Sequence, residues 1–151
     1  MADEVIKLLD IKENGIYFDG TAGGGGHSKR ILSQSPTARV IAVDRDIEAV
    51  NHCKETLRQF GGRAQVLNDN FTDIKEILQS LKIDKIDGAL LDLGVSSWQL
   101  DNFERGFSYR AEDFPLDMRM DRRQALTAET VINEYDEELL YRIIRDYGEE
   151  R

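Results

Sequence analysis

Residues 16–28 read IYFDGTAGGGGHS: a short apolar segment, a glycine-rich loop and the start of a helical pattern. Glycine tolerates positive φ and lets the backbone approach a ligand closely. In an open parallel α/β sheet, ligands bind beside the carboxyl ends of the strands, which is where such a loop lies. The stretch therefore predicts a nucleotide-like cofactor site at the end of the first strand.

Three more apolar segments follow, and helical patterns separate them. The predicted strands are 16–19, 40–44, 64–67 and 86–93, and the helices between them begin near Ser28, Asp46 and Thr72. Crossovers of this length favour a parallel sheet with helices on both faces. The near-continuous apolar run of 86–93 is typical of a strand buried on both faces. The predicted fold class is therefore α/β, with four parallel strands.

The pattern changes after Gly94. Residues 95–126 have no clear periodicity and are rich in Arg, Asp, Ser and Phe, so we interpret them as a functional loop region. Thr127 and Asp136 are candidate N-caps of two helices, and Gly148 suits the position just after the second.

Composition limits the class of protein. The chain has 151 residues, a net charge of -9, two histidines and one cysteine, Cys53. No apolar run approaches the roughly 18 residues that cross a bilayer, and no secretory leader pattern opens the chain. We therefore expect a cytoplasmic protein without a membrane partner, a disulfide or a zinc site. The acidic balance argues against tight non-specific binding of nucleic acid.

Asp44 ends the second predicted strand, beside the glycine loop. A carboxylate there accepts hydrogen bonds from ribose hydroxyls in dinucleotide and methyl-donor sites alike. The dinucleotide fingerprint G-x-G-x-x-G fails, because Ser28 or Lys29 occupies its last position. S-adenosylmethionine has no pyrophosphate and needs only close backbone packing around its methionine part. The loop therefore favours S-adenosylmethionine as the cofactor.

Three side chains near the other strand ends are further candidates. Asp92 follows the fourth strand, and we expect it to orient an exocyclic amine of the substrate, the alternative being a turn that only ends the strand. Phe71 is equally compatible with packing on adenine and with a core position. For His27 we expect hydrogen bonding within the loop rather than acid–base chemistry.

Arginines, aromatic residues and methionines are interleaved in residues 105–110 and 115–123. Such a surface binds phosphates and stacks an unpaired base, which makes Arg105, Phe107 and Arg119 candidate substrate contacts. A salt-bridged loop is equally compatible, because nearby carboxylates almost balance the arginines.

Together these motifs resemble the ribosomal RNA small subunit methyltransferase H family, also called MraW. The motifs that carry the resemblance are DGT with GxGGHS (19–28), AVDRD (42–46), DLGVSS with QLD (92–101), RGFS (105–108), PLDMRMD (115–121) and YGEE (147–150). The resemblance implies a Rossmann-like sheet and methyl transfer from S-adenosylmethionine to the N4 amine of a cytosine in 16S ribosomal RNA, within the small ribosomal subunit. The cofactor contacts that it implies are Gly25, Gly26, His27, Asp44, Phe71, Asp92 and Gln99.

Members of that family are roughly twice as long as this chain. We therefore interpret residues 1–126 as a partial methyltransferase domain with its active-site loop, and residues 127–151 as the beginning of a helical insertion. The fourth strand would then be an apolar sheet edge, through which we expect a homodimer to form. A non-catalytic S-adenosylmethionine-binding module stays open as an alternative. A nicotinamide-dependent oxidoreductase and a DNA amine methyltransferase are disfavoured by the failed fingerprint and by the family motifs respectively.

Overall fold

The computed structural model describes residues 2–110 and 113–148. The chain forms two compact units, Met1–Gly94 and Val95–Arg151. Glu112 and the Glu149-Glu150 end of the last sequence motif lie outside the described residues. The predicted domain boundary after residue 126 stays a prediction.

A parallel sheet forms the centre of the first unit. Its strands are β1 (Ile16–Asp19), β2 (Arg39–Asp44), β3 (Ala64–Asn68) and β4 (Gly88–Leu90). They lie in the order β3-β2-β1-β4, and each of the three neighbouring pairs is parallel. The predicted α/β fold is thus confirmed. β1, which leads into the glycine loop, lies between β2 and β4.

Helices connect and flank these strands. They are α1 (Ala2–Leu9), α2 (Gly26–Gln34), α3 (Ile47–Leu57) and α4 (Ile74–Ser80), with 3-10 turns at Arg58–Arg63 and Phe71–Asp73. Asp46 caps α3 as predicted, because its carboxylate accepts the Glu48 N–H at 3.0 Å. The predicted Thr72 cap is wrong: Asn70 accepts the Thr72 N–H at 3.2 Å, since a 3-10 turn precedes α4.

Two apolar clusters cover the two faces of the sheet. Successive residues of a strand point to opposite faces. Tyr17 accordingly packs in one cluster with Ile31 of α2, while Phe18 packs in the other with Ile77 of α4. Burial on both faces explains why β1 and β2 read as continuous apolar runs.

The prediction for the fourth strand is wrong in its length and its burial. β4 covers only Gly88–Leu90, and Leu93 is 69% exposed. The chain leaves the ladder because the Asp92 N–H donates to Thr21 Oγ1, at 2.7 Å, instead of to a strand carbonyl. β1 is the only strand paired with β4 among the described residues. Self-association through the other edge stays a prediction.

The second unit is built from helices and turns. They are α5 (Ser97–Asp101), a 3-10 turn at Phe103–Arg105, α6 (Ala128–Glu134) and α7 (Glu137–Gly148). Thr127 and Asp136 cap α6 and α7 as predicted, by accepting the N–H groups of Thr130 and Leu139. Gly148 lies within α7 rather than after it, so that prediction is wrong. Over the part of the chain that the structure describes, none of the helices is long and apolar enough to cross a membrane.

Ile31 and Ile47 provide a matched test of the core on α2 and α3. Ile31 is fully buried, whereas Ile47 is about half exposed. We expect Ile31→Ala to lower the free energy of unfolding by about 2–5 kcal/mol, since it removes buried methyl groups and leaves a cavity. Ile47→Ala should cost less than about 1 kcal/mol. Urea denaturation followed by circular dichroism measures both, and equal losses would contradict this description of the core.

Candidate cofactor site at the carboxyl edge of the sheet

The glycine loop is tied to the strands on both sides of β1. The Gly20 N–H donates to the Leu90 carbonyl at 3.0 Å, and the Ala22 N–H donates to the Val43 carbonyl at 3.0 Å. Because β4 and β2 flank β1, these two bonds fix the loop across the carboxyl ends of all three strands.

Two glycines in this loop have backbone conformations that favour glycine. Gly23 has φ 50° and Gly25 has φ 82°, in the left-handed region that other residues rarely adopt. A Cβ atom on Gly25 would lie 3.1 Å from Cys53 Sγ, whereas a Cβ on Gly26 would have no neighbour within 4 Å. Gly25 therefore allows the loop to pack closely on α3, and Gly26 faces open space.

Asp44 connects the loop to the end of β2. Its Oδ2 accepts the Gly23 N–H at 2.8 Å, and its Oδ1 accepts the Asp46 N–H at 2.9 Å. A carboxylate offers about four lone-pair sites, so each oxygen retains acceptor capacity after one backbone bond. The half-buried side chain can thus hold the loop and accept further hydroxyl donors.

Asp19 links the end of β1 to the first turn of α2. Its carboxylate is almost fully buried and accepts the Ser28 hydroxyl at 2.7 Å. Burial raises the pKa of Asp19 above the usual carboxyl range, while the Ser28 hydrogen bond and the charge of His27 act in the opposite direction. The sequence showed an acidic residue at this strand end, but the loop-closing bond to Ser28 was not predicted.

His27 and Asp92 meet at the same edge. His27 Nε2 lies 3.5 Å from Asp92 Oδ2, with the imidazole 25% exposed and the carboxylate 69% exposed. The other ring nitrogen, Nδ1, is buried and has no hydrogen-bond partner among the described residues. The hydroxyl of Thr21 accepts the Asp92 N–H and so fixes the backbone of Asp92. No role for Thr21 was predicted from the sequence. The structure therefore brings together the glycine loop, Asp44, His27 and Asp92.

Phe71 lies at the same end of the sheet, in the 3-10 turn after β3. It is half-buried and packs against the core cluster that contains Phe18 and Ile77. This packing supports the core alternative, and its contact with adenine stays a prediction.

The remaining candidate residues lie in the second unit. Gln99 is buried and forms a capping box with Ser96, in which its Oε1 accepts the Ser96 N–H at 2.9 Å. The Arg105 guanidinium is fully buried, donates to the Arg119 carbonyl at 2.9 Å and lies 5.9 Å from the ring centre of Phe107. Contact of Arg105 with an RNA phosphate would require the side chain to leave this position.

Arg119 is already ion-paired. It forms two hydrogen bonds with the carboxylate of Asp117, at 2.9 and 2.6 Å. These bonds hold the pKa of the Asp117 carboxyl below its usual range. Arg123 pairs with Asp121 in the same way. The described residues therefore favour the salt-bridged alternative for this loop, and substrate contacts by Arg105, Phe107 and Arg119 stay predictions.

The sequence profile of the MraW methylase family matches residues 1–151. The chain belongs to this family. A relative from Agathobacter rectalis named ribosomal RNA small subunit methyltransferase H 2 is 53% identical over 152 aligned residues, which cover 100% of this chain and 48% of that protein. A ribosomal RNA small subunit methyltransferase H from Clostridium botulinum is 49% identical, with the same coverage. The chain thus spans about half the length of these MraW relatives.

The fold of this MraW chain is also found among solved structures. An rRNA methylase from Streptococcus thermophilus aligns with a TM-score of 0.50 and 20% identity, covering 68% of this chain and 60% of that one. At this identity the likeness concerns the fold alone, and it supports the Rossmann-like sheet. Within the described residues, no group of three or more His, Cys, Asp and Glu side chains is arranged to hold a metal ion.

Gly25 and Gly26 form a matched pair of positions for testing the loop. Gly25→Ala should lower the free energy of unfolding by about 1–3 kcal/mol, because alanine is strained at this φ. Gly26→Ala should change it by less than about 1 kcal/mol, since the added methyl group enters open space at the start of α2. Thermal unfolding followed by circular dichroism measures both. Equal effects of the two changes would contradict the loop geometry.

The pH dependence of unfolding tests the burial of Asp19. Since burial raises its folded-state pKa, the stability contributed by its proton is present at low pH and is lost as the pH rises through that pKa. Asp19→Asn cannot ionise. The stability of this variant relative to the natural chain should therefore increase as the pH rises from below the ordinary carboxyl pKa toward neutrality. Urea titrations across this range measure the difference, and a constant difference would show that burial does not control the Asp19 proton.

Proposed function

We propose that this chain provides the S-adenosylmethionine-binding part of a methyltransferase that acts on the N4 amine of a cytosine in 16S ribosomal RNA. The acceptor is the small ribosomal subunit, so the site of action is the cytoplasm. Membership of the MraW methylase family supports methyltransferase chemistry, and the names of its relatives support a ribosomal RNA substrate. The observation that carries the proposal is the Asp44 carboxylate, held 2.8 Å from the Gly23 N–H beside the glycine loop.

The residues at this edge fit S-adenosylmethionine. Asp44 has acceptor capacity for the two ribose hydroxyls, and the open space beside Gly26 allows the methionine part to approach the backbone. A cofactor contact at Gly25 stays a prediction. The buried Nδ1 of His27 is a polar atom that a ligand can satisfy. These three features belong to the first unit alone.

When bound, S-adenosylmethionine supplies a methyl group whose bond to sulfur breaks as its bond to the amine nitrogen forms. A cytosine amine is a weak nucleophile, because its lone pair is delocalised into the ring. Asp92 accepts a hydrogen bond from this amine and takes the proton that the nitrogen releases as it is methylated. Orientation of the amine and stabilisation of its developing charge then lower the barrier.

Binding of the cofactor without methyl transfer is the second candidate function. It is favoured by the exposure of the Asp92 carboxylate, whose side chain is 69% exposed. A carboxylate in water stabilises developing charge less than one in an enclosed site. Transfer of labelled methyl groups to small ribosomal subunits separates the two candidates.

Asp44→Ala tests the cofactor site directly. Loss of the ribose hydrogen bonds, together with the bond that holds the loop at Gly23, should weaken S-adenosylmethionine binding by about 1–3 kcal/mol, or roughly 5- to 150-fold in Kd. The matched control is Asp84→Ala, which removes an exposed carboxylate from the loop before β4 and should leave Kd unchanged. Isothermal titration calorimetry measures both affinities.

NAD provides the comparison ligand in the same calorimeter. We expect no measurable binding of NAD, because the loop lacks the dinucleotide fingerprint. Tight binding of NAD, or equal affinity of the natural chain and Asp44→Ala for S-adenosylmethionine, would contradict the proposed site.

A further inference from the structure

His27 lies beside the carboxylate of Asp92 at the edge of the sheet. It occupies the first turn of α2, directly after the glycine loop, and its Nε2 is 3.5 Å from Asp92 Oδ2. The imidazole is three-quarters buried, so packing restricts its orientation.

The backbone of Asp92 is fixed by a hydrogen bond, whereas its side chain is largely exposed. Its N–H donates to Thr21 Oγ1 at 2.7 Å, while its carboxylate is largely exposed. Among the described residues, His27 is the only basic side chain that the structure places in contact with this carboxylate. An exposed carboxylate without such a contact samples several rotamers, and a poorly oriented group loses much of its catalytic value.

We infer that His27 is a positioning residue for Asp92. The imidazole Nε2, 3.5 Å from Oδ2 of Asp92, orients this carboxylate, and Oδ1 is thereby left available to the substrate amine. This inference rests on the proposed function, because it assigns Asp92 to the amine. His27 then acts on the substrate amine through Asp92, in addition to the cofactor contact that was predicted for it from the sequence.

The two ring nitrogens have separate tasks in this arrangement. A neutral imidazole carries one proton, and the nitrogen without it is an acceptor. If Nε2 carries the proton toward Asp92, the buried Nδ1 is the acceptor, and a donor group of the cofactor can satisfy it. The arrangement therefore requires the Nε2–H tautomer of His27.

Nitrogen-15 NMR of the imidazole rings in the 151-residue chain tests the contact. The chain contains only His27 and His52, so His52 serves as an internal reference. We expect the Nε2–H tautomer for His27 in the natural chain and a shift of its ring signals in Asp92→Ala. This variant alters an exposed side chain and should fold normally. Unchanged His27 signals, or equal shifts of both histidines, would overturn the inference.

A pair of His27 variants tests the positioning role through the signal of Asp92. The amide N–H of His27→Gln can replace the Nε2 donor, whereas His27→Leu is of similar size and has no donor. The carboxyl carbon-13 signal of Asp92 should stay near its natural position in the Gln variant and shift in the Leu variant. An identical signal in all three proteins would show that His27 does not hold Asp92.

Cofactor binding distinguishes this inference from the proposed function. If the natural chain fails to bind S-adenosylmethionine in the calorimeter, the proposed function is contradicted, and the two NMR measurements still decide whether His27 holds Asp92.

Discussion

The hydrogen bonds from the Gly23 and Asp46 N–H groups to the Asp44 carboxylate are the interaction on which the carboxyl edge of the first unit depends. One side chain joins the glycine loop after β1 to the cap of α3 after β2. A loop containing four consecutive glycines has high conformational entropy when unfolded. Its order must therefore come from bonds to residues outside the loop, and Asp44 provides one of them, to the Gly23 N–H, while keeping acceptor capacity for a ligand.

The other contacts of the loop also order it through bonds to residues at the strand ends and in the following helix. Asp19 closes the loop through the Ser28 hydroxyl, and Thr21 holds the backbone of Asp92 at the end of β4. Each bond joins the end of one strand to a residue of the loop or of the helix that follows it. The strand ends, the loop and His27 consequently form one preorganised edge, which is the arrangement that binding of a small polar cofactor requires.

The sequence predicted most of the sheet, because its signals are local. Apolar runs marked β1 to β3, and Asp46 and Thr127 were recognised as helix caps from their immediate neighbours. The contact between Asp92 and Thr21 joins residues 71 positions apart, so no local pattern revealed where β4 ends. Local patterns likewise did not reveal that Arg105 is buried or that Arg119 is ion-paired. A cluster of arginines in the sequence is equally compatible with an RNA-binding surface and with a salt-bridged loop.

A crystal structure of the chain soaked with S-adenosylmethionine tests the central claim most directly. We expect density for the adenosine at the carboxyl edge of the sheet, with the ribose hydroxyls within hydrogen-bond distance of Asp44 and the methionine part along Gly25 and Gly26. Density for the adenosine at another surface, or an edge that stays empty at saturating cofactor, would contradict the assignment of this edge as the cofactor site.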